Sequence, residues 1–341
     1  SSLECIQTNC VGFDPLTRNT GEVLGVFGSI NLDEDENIPD ILELVAQQLG
    51  LNTLFDFTPK VDNLVVLESA INRAHSPRWP ASFPALDNTL VSTGKTLYAD
   101  NCAGCHMDVS DGVDENELTE PNSTGNRFTK VIRIPYNEVG TDEAFAVDYG
   151  MRTDKSGLIG SVIAQQAPDT VDPATGITFG EQVPETFSSL ALLGVTAQIV
   201  VSNHQDTIGF AIKAGQAYPD LSLADAKAAL YQDYIGGHSD RPDFVATDYR
   251  AKPLNGIAFT GPFLHNGSVR TLKDLLEAPE DRPASFLMGS TDYDVDGAGY
   301  VDAGDFLLDT TIRGNGKEGH TYGTQLSSGD KTALLEYMKS M

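Results

Sequence analysis

Helical spacing of apolar residues is the strongest regular signal in this chain, and it recurs in separate blocks. Ile38, Ile41, Leu42, Leu44, Val45 and Leu49 follow it behind acidic residues, which predicts a helix from about 38 to 49. Asp87 to Asp100 reads as another helix, with Gly94 and Tyr98 four apart on one face. Near the C-terminus Ser327-Ser-Gly-Asp330 offers a capping box, followed by an apolar stripe of Leu334, Leu335, Met338 and Met341 with Tyr337 beside it. Weaker helical stretches fall at 141–152, 189–203, 222–234 and 271–278, joined by loops rich in Gly and Pro. Strand signal is thin, with Phe128-Thr-Lys-Val-Ile-Arg-Ile134 its best candidate. A mainly α fold with much irregular structure is the expectation.

Ser76-Pro-Arg-Trp-Pro-Ala-Ser-Phe-Pro84 interrupts these blocks as an extended connector, because each Pro biases the residue before it away from the helical region. A boundary near residue 85 follows: a segment 1–85, then a larger domain 86–341 with long loop-rich insertions. Residues 108–125, rich in Asp, Glu, Ser and Thr, read as a surface loop. No internal repeat is visible.

With 341 residues and 40% hydrophobic content, the chain is long enough for two compact units with real cores. Its 49 acidic and 22 basic residues give a formal charge of −27, which repels phosphate backbones and argues against a nucleic-acid partner. Such a surface suits solubility and attraction to partners with basic docking faces. The longest apolar stretch, Leu190 to Val201, carries Gly194, Thr196 and Gln198 and falls short of a bilayer span. The chain starts at Ser1 without a charged or apolar leader, so a secretory signal is expected to be removed or to lie outside this numbering.

Candidate chemistry concentrates in Cys102-Ala-Gly-Cys105-His106. C-x-x-C-H is the spacing at which two thiols capture one haem as thioethers and the imidazole lies under the iron as proximal ligand. A zinc site would need further ligands at similar spacing, and the remaining thiols, Cys5 and Cys10, form no C-x-x-C pair. A thioredoxin-like pair would open a helix after a buried strand, whereas a helix precedes this motif. One covalent haem c is therefore expected. Cys5 and Cys10 are left as an even pair suited to a local disulfide in an oxidising compartment, with free thiols or a bond to another chain as alternatives.

What binds the other face of the iron separates electron transfer from oxygen or peroxide chemistry. Of the six histidines, His320 stands in Gly314-Asn-Gly-Lys-Glu-Gly-His320-Thr-Tyr-Gly323, a loop free enough to place an imidazole on the far haem face. Met288 in Ser285-Phe-Leu-Met288-Gly289 is the alternative, with a core role as its plainer reading. A second metal candidate is Asp294-Val-Asp296-Gly-Ala298-Gly299-Tyr-Val-Asp302-Ala-Gly-Asp305. It puts carboxylates at calcium-loop positions 1, 3, 9 and 12, yet has Ala298 at position 5 and Asp rather than Glu at position 12. An acidic surface turn is its other reading.

Four segments together resemble the dihaem cytochrome c peroxidase-like proteins, in particular the branch that contains rubber oxygenases. They are Ala74-His-Ser-Pro-Arg-Trp-Pro80, Gly94-Lys-Thr-Leu-Tyr-Ala99 with the C-x-x-C-H motif, Arg250 to Leu272, and Gly319-His-Thr-Tyr-Gly323. The resemblance spans about residues 70–341 and implies a cytochrome c-type domain whose first and last helices cross at a small residue such as Gly94. It also implies an N-terminal haem where oxygen or peroxide reacts and a C-terminal haem that transfers electrons. This chain matches the C-terminal haem and contains no first C-x-x-C-H. By the same similarity His106 is proximal, His320 takes the distal place, and His265 lies in a turn near the haem. The leading expectation is a secreted or periplasmic monohaem carrier of single electrons, six-coordinate and low-spin. The rivals are a haem peroxidase or oxygenase with an open distal site, and a subunit of a multi-chain redox assembly or filament.

Overall fold

The computed structural model describes residues 75–118, 129–130, 132–151, 153–155, 186–188, 214–223, 225–226 and 248–341, together with Val23, 30–32, 55–57 and Asn63. The expected helices at 38–49 and 189–203 and the Cys5–Cys10 pair lie outside these residues. The chain divides into two compact units, one formed by Ser1–His75, Asn116–Lys130 and Gly150–Asp243, the other by Ser76–Glu115, Val131–Tyr149 and Phe244–Met341. In the first unit, strand β1 (Ile30–Leu32) pairs antiparallel with β2 (Phe55–Phe57), and β4 (Thr153–Lys155) with β5 (Thr186–Ser188). The connector 76–84 groups with the second unit, which also holds the C-x-x-C-H motif.

The second unit is organised by its first and last long helices, α1 (Asn88–Asn101) and α5 (Ser328–Ser340). Asp87 caps α1 by accepting from the backbone N–H groups of Thr89 and Leu90 at 2.8 and 3.2 Å. Ser327 caps α5 through the N–H of Asp330 at 3.2 Å, and its hydroxyl donates to the Asp330 carboxylate at 2.8 Å. The two helices meet where Gly94 lies on the Ala333 carbonyl, so close that a Cβ there would sit 2.7 Å from the Ala333 carbonyl carbon and from Tyr337 Cβ. Tyr98 and Tyr337 then pack edge to face, ring centres 5.5 Å apart. Tyr98, Leu272, Leu276, Leu334, Leu335 and Met338 form the centre of the core. Burial of these side chains, worth about 1.5–3 kcal/mol each, is what holds the two helices together.

Between the helices the chain builds short elements. Strand β3 (Ile132–Pro135) pairs antiparallel with β6 (Asp248–Ala251), placing Ile134 opposite Tyr249. Helices α2 (Tyr136–Val139) and α3 (Ala144–Met151) follow β3, and α4 (Leu272–Leu275) occupies part of the expected 271–278 helix. Two further antiparallel pairs occupy 285–309: β7 (Ser285–Met288) with β10 (Phe306–Asp309), and β8 (Tyr293–Asp294) with β9 (Gly299–Tyr300). The calcium-like sequence folds as the β8–β9 hairpin and the stretch after it. Asp294 accepts from the N–H of Gly297 at 2.9 Å and from Arg270 at 3.4 Å, while Asp302 accepts from the N–H of Leu287 at 2.7 Å. Among the described residues no group of three or more His, Cys, Asp or Glu side chains is placed to hold a metal ion. Among them, too, no helix is long and apolar enough to cross a membrane.

Candidate haem site

The C-x-x-C-H motif begins where α1 stops. Cys102 is the residue after the last helical one, and a turn follows in which the N–H groups of Cys105 and His106 both reach the Cys102 carbonyl, at 3.1 and 2.8 Å. This turn brings both thiols and the imidazole to one end of α1. The buried Tyr98 hydroxyl donates to the His106 carbonyl at 2.9 Å, fastening the turn back onto the helix. Burial pushes the Tyr98 phenol well above its ordinary pKa, so it stays a donor. Burial, with the neighbouring Cys105, also pushes the Cys102 thiol up to about 11. A thioredoxin-like pair needs the opposite shift.

His106 Nδ1 lies 2.7 Å from the carbonyl oxygen of Lys252, just beyond β6. A carbonyl only accepts, so this nitrogen carries the proton and Nε2 presents its lone pair, the tautomer a metal requires. Burial lowers the pKa of His106, and the bond to Lys252 opposes that shift. His320 faces it: the two ring centres are 6.3 Å apart, with an interplanar angle of 48°. Two imidazoles that share one metal, each nitrogen at about 2 Å and each ring centre about 1 Å further back, have centres about 6 Å apart. His320 is partly buried, and among the described residues its buried Nδ1 has no hydrogen-bond partner. Burial, then the His106 ring and Arg282, pull its pKa down to about 4, which keeps it neutral and able to ligate. The donor set, its tautomer and its separation all fit a haem iron held between His106 and His320, with thioethers from Cys102 and Cys105.

The His320 loop is held from two sides. Its N–H donates to the Val139 carbonyl at 2.9 Å, and Gly319, at φ 75°, lies so flat on the Gly140–Thr141 peptide that no side chain fits there. Asp142, 5% exposed, accepts from the N–H groups of Ala144, Gly314 and Gly316 at 2.8, 2.7 and 3.1 Å. Burial raises the pKa of Asp142, but those three N–H groups outweigh it and hold the carboxyl below its usual range. From the opposite side Arg282 donates to the His320 carbonyl. His320 itself has φ 45°, a left-handed conformation that costs about 1–2 kcal/mol without such support.

Met288 ends β7 and lines a small apolar cavity of about 150 Å³ with Pro262, Phe286, Leu287, Tyr300 and Val301. His265 stacks on Tyr249 at 5.0 Å, near Phe145 at 6.0 Å, and among the described residues its buried Nε2 has no partner. The structure adds two residues that sequence reasoning did not identify, Arg282 and Asp142. Neither carries a motif, since the contacts that tie each to the His320 loop are with main-chain atoms 35 or more residues away.

Residues 248–287 match the family model of RoxA-like, cytochrome c-like proteins, a segment that includes the Lys252 carbonyl, His265 and Arg282. The chain is 29% identical over 370 aligned positions to the uncharacterized protein y4iJ of Sinorhizobium fredii (strain NBRC 101917 / NGR234), an alignment that covers 100% of this chain and 53% of that protein. A second protein of the same strain, the uncharacterized y4iM, is 47% identical over 53 residues, 16% of this chain and 12% of its own length. The chain thus spans about half the length of y4iJ and a smaller share of y4iM.

Proposed function

We propose that this c-type cytochrome, identified as such by its RoxA-like, cytochrome c-like domain at residues 248–287, is a monohaem electron carrier with a closed, bis-histidine iron site. The observation that carries the reading is the 6.3 Å separation of two partly buried imidazole rings, each supplied by its own anchored loop. Haem c, when bound, supplies a one-electron couple. The chain's residues supply the rest. Cys102 and Cys105 fix the group covalently, and His106 is held in its ligating tautomer by the Lys252 carbonyl. His320, neutral and partly buried, would fill the position that oxygen or peroxide would otherwise enter. Rigid ligands on both faces favour electron transfer, because the site has little to reorganise when its charge changes.

The proposed setting is the periplasm or the extracellular space, where haem c attachment and a Cys5–Cys10 disulfide are both compatible with the compartment. The formal charge of −27 suits redox partners with basic docking faces. A mainly α cytochrome c-type domain is the proposed fold class, and one haem is the proposed count for this chain, on the support of its single C-x-x-C-H.

The discriminating experiment adds cyanide, then hydrogen peroxide, to the ferric holoprotein and follows the Soret band. An unchanged low-spin spectrum over minutes is the expected result. Prompt cyanide binding, or turnover of peroxide, would instead establish an open site and an oxygen- or peroxide-reactive enzyme.

A further inference from the structure

Arg282 stands between Asp281 and Pro283 after α4, and is 2% exposed. Its guanidinium makes five hydrogen bonds, all to main-chain carbonyls. Nε donates to Glu277 at 3.0 Å and Nη2 to Leu275 at 3.2 Å, both in the segment that starts with α4. The other three reach the distal loop: Nη1 donates to Lys317 at 2.7 Å and to Gly319 at 2.8 Å, and Nη2 to His320 at 3.0 Å. A guanidinium has five N–H donors in a planar fork, so its bonding capacity is used up on this one task. Lys317 returns the contact, its ammonium donating to the Arg282 carbonyl.

Two features set this arginine apart from an ordinary buried cation. Among the described residues no carboxylate lies within ion-pair distance of it, so carbonyl dipoles make every direct contact with its charge, and Asp274 and Glu280 act on it only from further away. The segment it grips, Gly314-Asn-Gly-Lys-Glu-Gly319, carries three glycines and has a large conformational entropy to lose before it can hold a side chain still. Pinning three carbonyls in four residues, the last that of His320, removes that freedom where the imidazole is presented. A fixed positive charge at the same place disfavours the more positive ferric state relative to the ferrous one.

We propose that Arg282 is the positioning residue of the distal ligand: its guanidinium holds the carbonyls of Lys317, Gly319 and His320 so that His320 faces His106, and its charge raises the reduction potential. The proposal rests on the bis-histidine reading above. Arg282→Lys and Arg282→Gln separate its two roles, because Lys keeps the charge but has three donors and no planar fork, whereas Gln is neutral. The measurements on wild-type and variant holoproteins are the ferric spin state, the rate at which added imidazole displaces the distal ligand, and the midpoint potential. Both variants are expected to admit imidazole faster, by roughly tenfold, the equivalent of one lost charge-assisted hydrogen bond. The potential is expected to move to lower values in Arg282→Gln by more than in Arg282→Lys. Should Arg282→Gln fail to fold, the imidazole rate of Arg282→Lys decides. Lower thermal stability with rate and potential unmoved would make Arg282 a plain structural staple and overturn the proposal. A high-spin wild type would overturn the bis-histidine reading itself, and the proposal with it.

Discussion

Replacing Gly94 by Ala sets helix propensity against helix crossing. Ala in a helix interior gains about 0.5–1 kcal/mol over Gly, so on propensity alone the variant is stabilised. The crossing reverses the sign. The added Cβ would lie 2.7 Å from the Ala333 carbonyl carbon and 2.7 Å from Tyr337 Cβ, against an ordinary carbon contact of about 3.5–4 Å. One obstacle is main chain, so no rotamer change relieves it, and α1 and α5 must separate by about 1 Å. Overpacking of this kind costs about 1–3 kcal/mol, and the movement also loosens the Tyr98–Tyr337 contact. The net expectation is a loss of about 1–2 kcal/mol, or a fall in Tm of about 2–4 °C per kcal/mol. Thermal unfolding of the holoprotein, followed by the Soret band and by far-ultraviolet circular dichroism, reads it directly. Thr96→Ala, on the exposed side of the same helix, reports propensity without the clash. If Gly94→Ala is as stable as wild type or more so, the two helices do not meet as described.

Other consequences follow from the anchors of the two ligands. Tyr98→Phe removes the hydroxyl that caps the His106 carbonyl and should cost about 1 kcal/mol, with faster haem-ligand exchange in stopped-flow; no change in either would deny the turn its link to α1. Asp142→Asn weakens the anchor of the 314–316 segment and should cost about 1.5–3 kcal/mol, measured by chemical unfolding at pH 7. The folded-state pKa of Asp142 is depressed, so its stabilisation is complete above the unfolded value near 4 and is lost as pH falls through the folded value. The wild type should therefore lose its advantage over Asp142→Asn only below about pH 4, and an advantage that faded near neutrality would refute the assignment. Electron transfer to a basic partner protein should slow as ionic strength rises, because charges more than about 10 Å apart are screened at 0.1 M salt; a salt-independent rate would exclude electrostatic docking.

Local chemistry was legible in the sequence wherever it is written in adjacent residues. C-x-x-C-H, the Ser327–Asp330 cap and the apolar stripe of α5 each declare themselves within a few positions. Gly94 was legible only in the company of the motif that gives α1 a partner. The β7–β10 ladder was not legible, because its strands are short and their apolar residues run consecutively: in β7 only Phe286 of Phe286, Leu287 and Met288 is buried, and in β10 only Leu308 of Phe306, Leu307 and Leu308. The calcium-like spacing shows the converse, a one-dimensional pattern whose carboxylates answer to Arg270 and to the backbone of Gly297 and Leu287 once folded. Arg282 had no signal at all. An arginine beside a proline in a polar loop is indistinguishable in sequence from a solvated one, and its partners are carbonyls up to 38 residues away. The same holds for His106, whose tautomer is set by a carbonyl 146 residues further along the chain.

Low-temperature electron paramagnetic resonance of the ferric protein, before and after His320→Ala, tests the central claim most directly. The account predicts a low-spin bis-imidazole signal in the wild type that becomes high-spin in the variant. A high-spin wild type, or a low-spin signal that survives loss of His320, would contradict it.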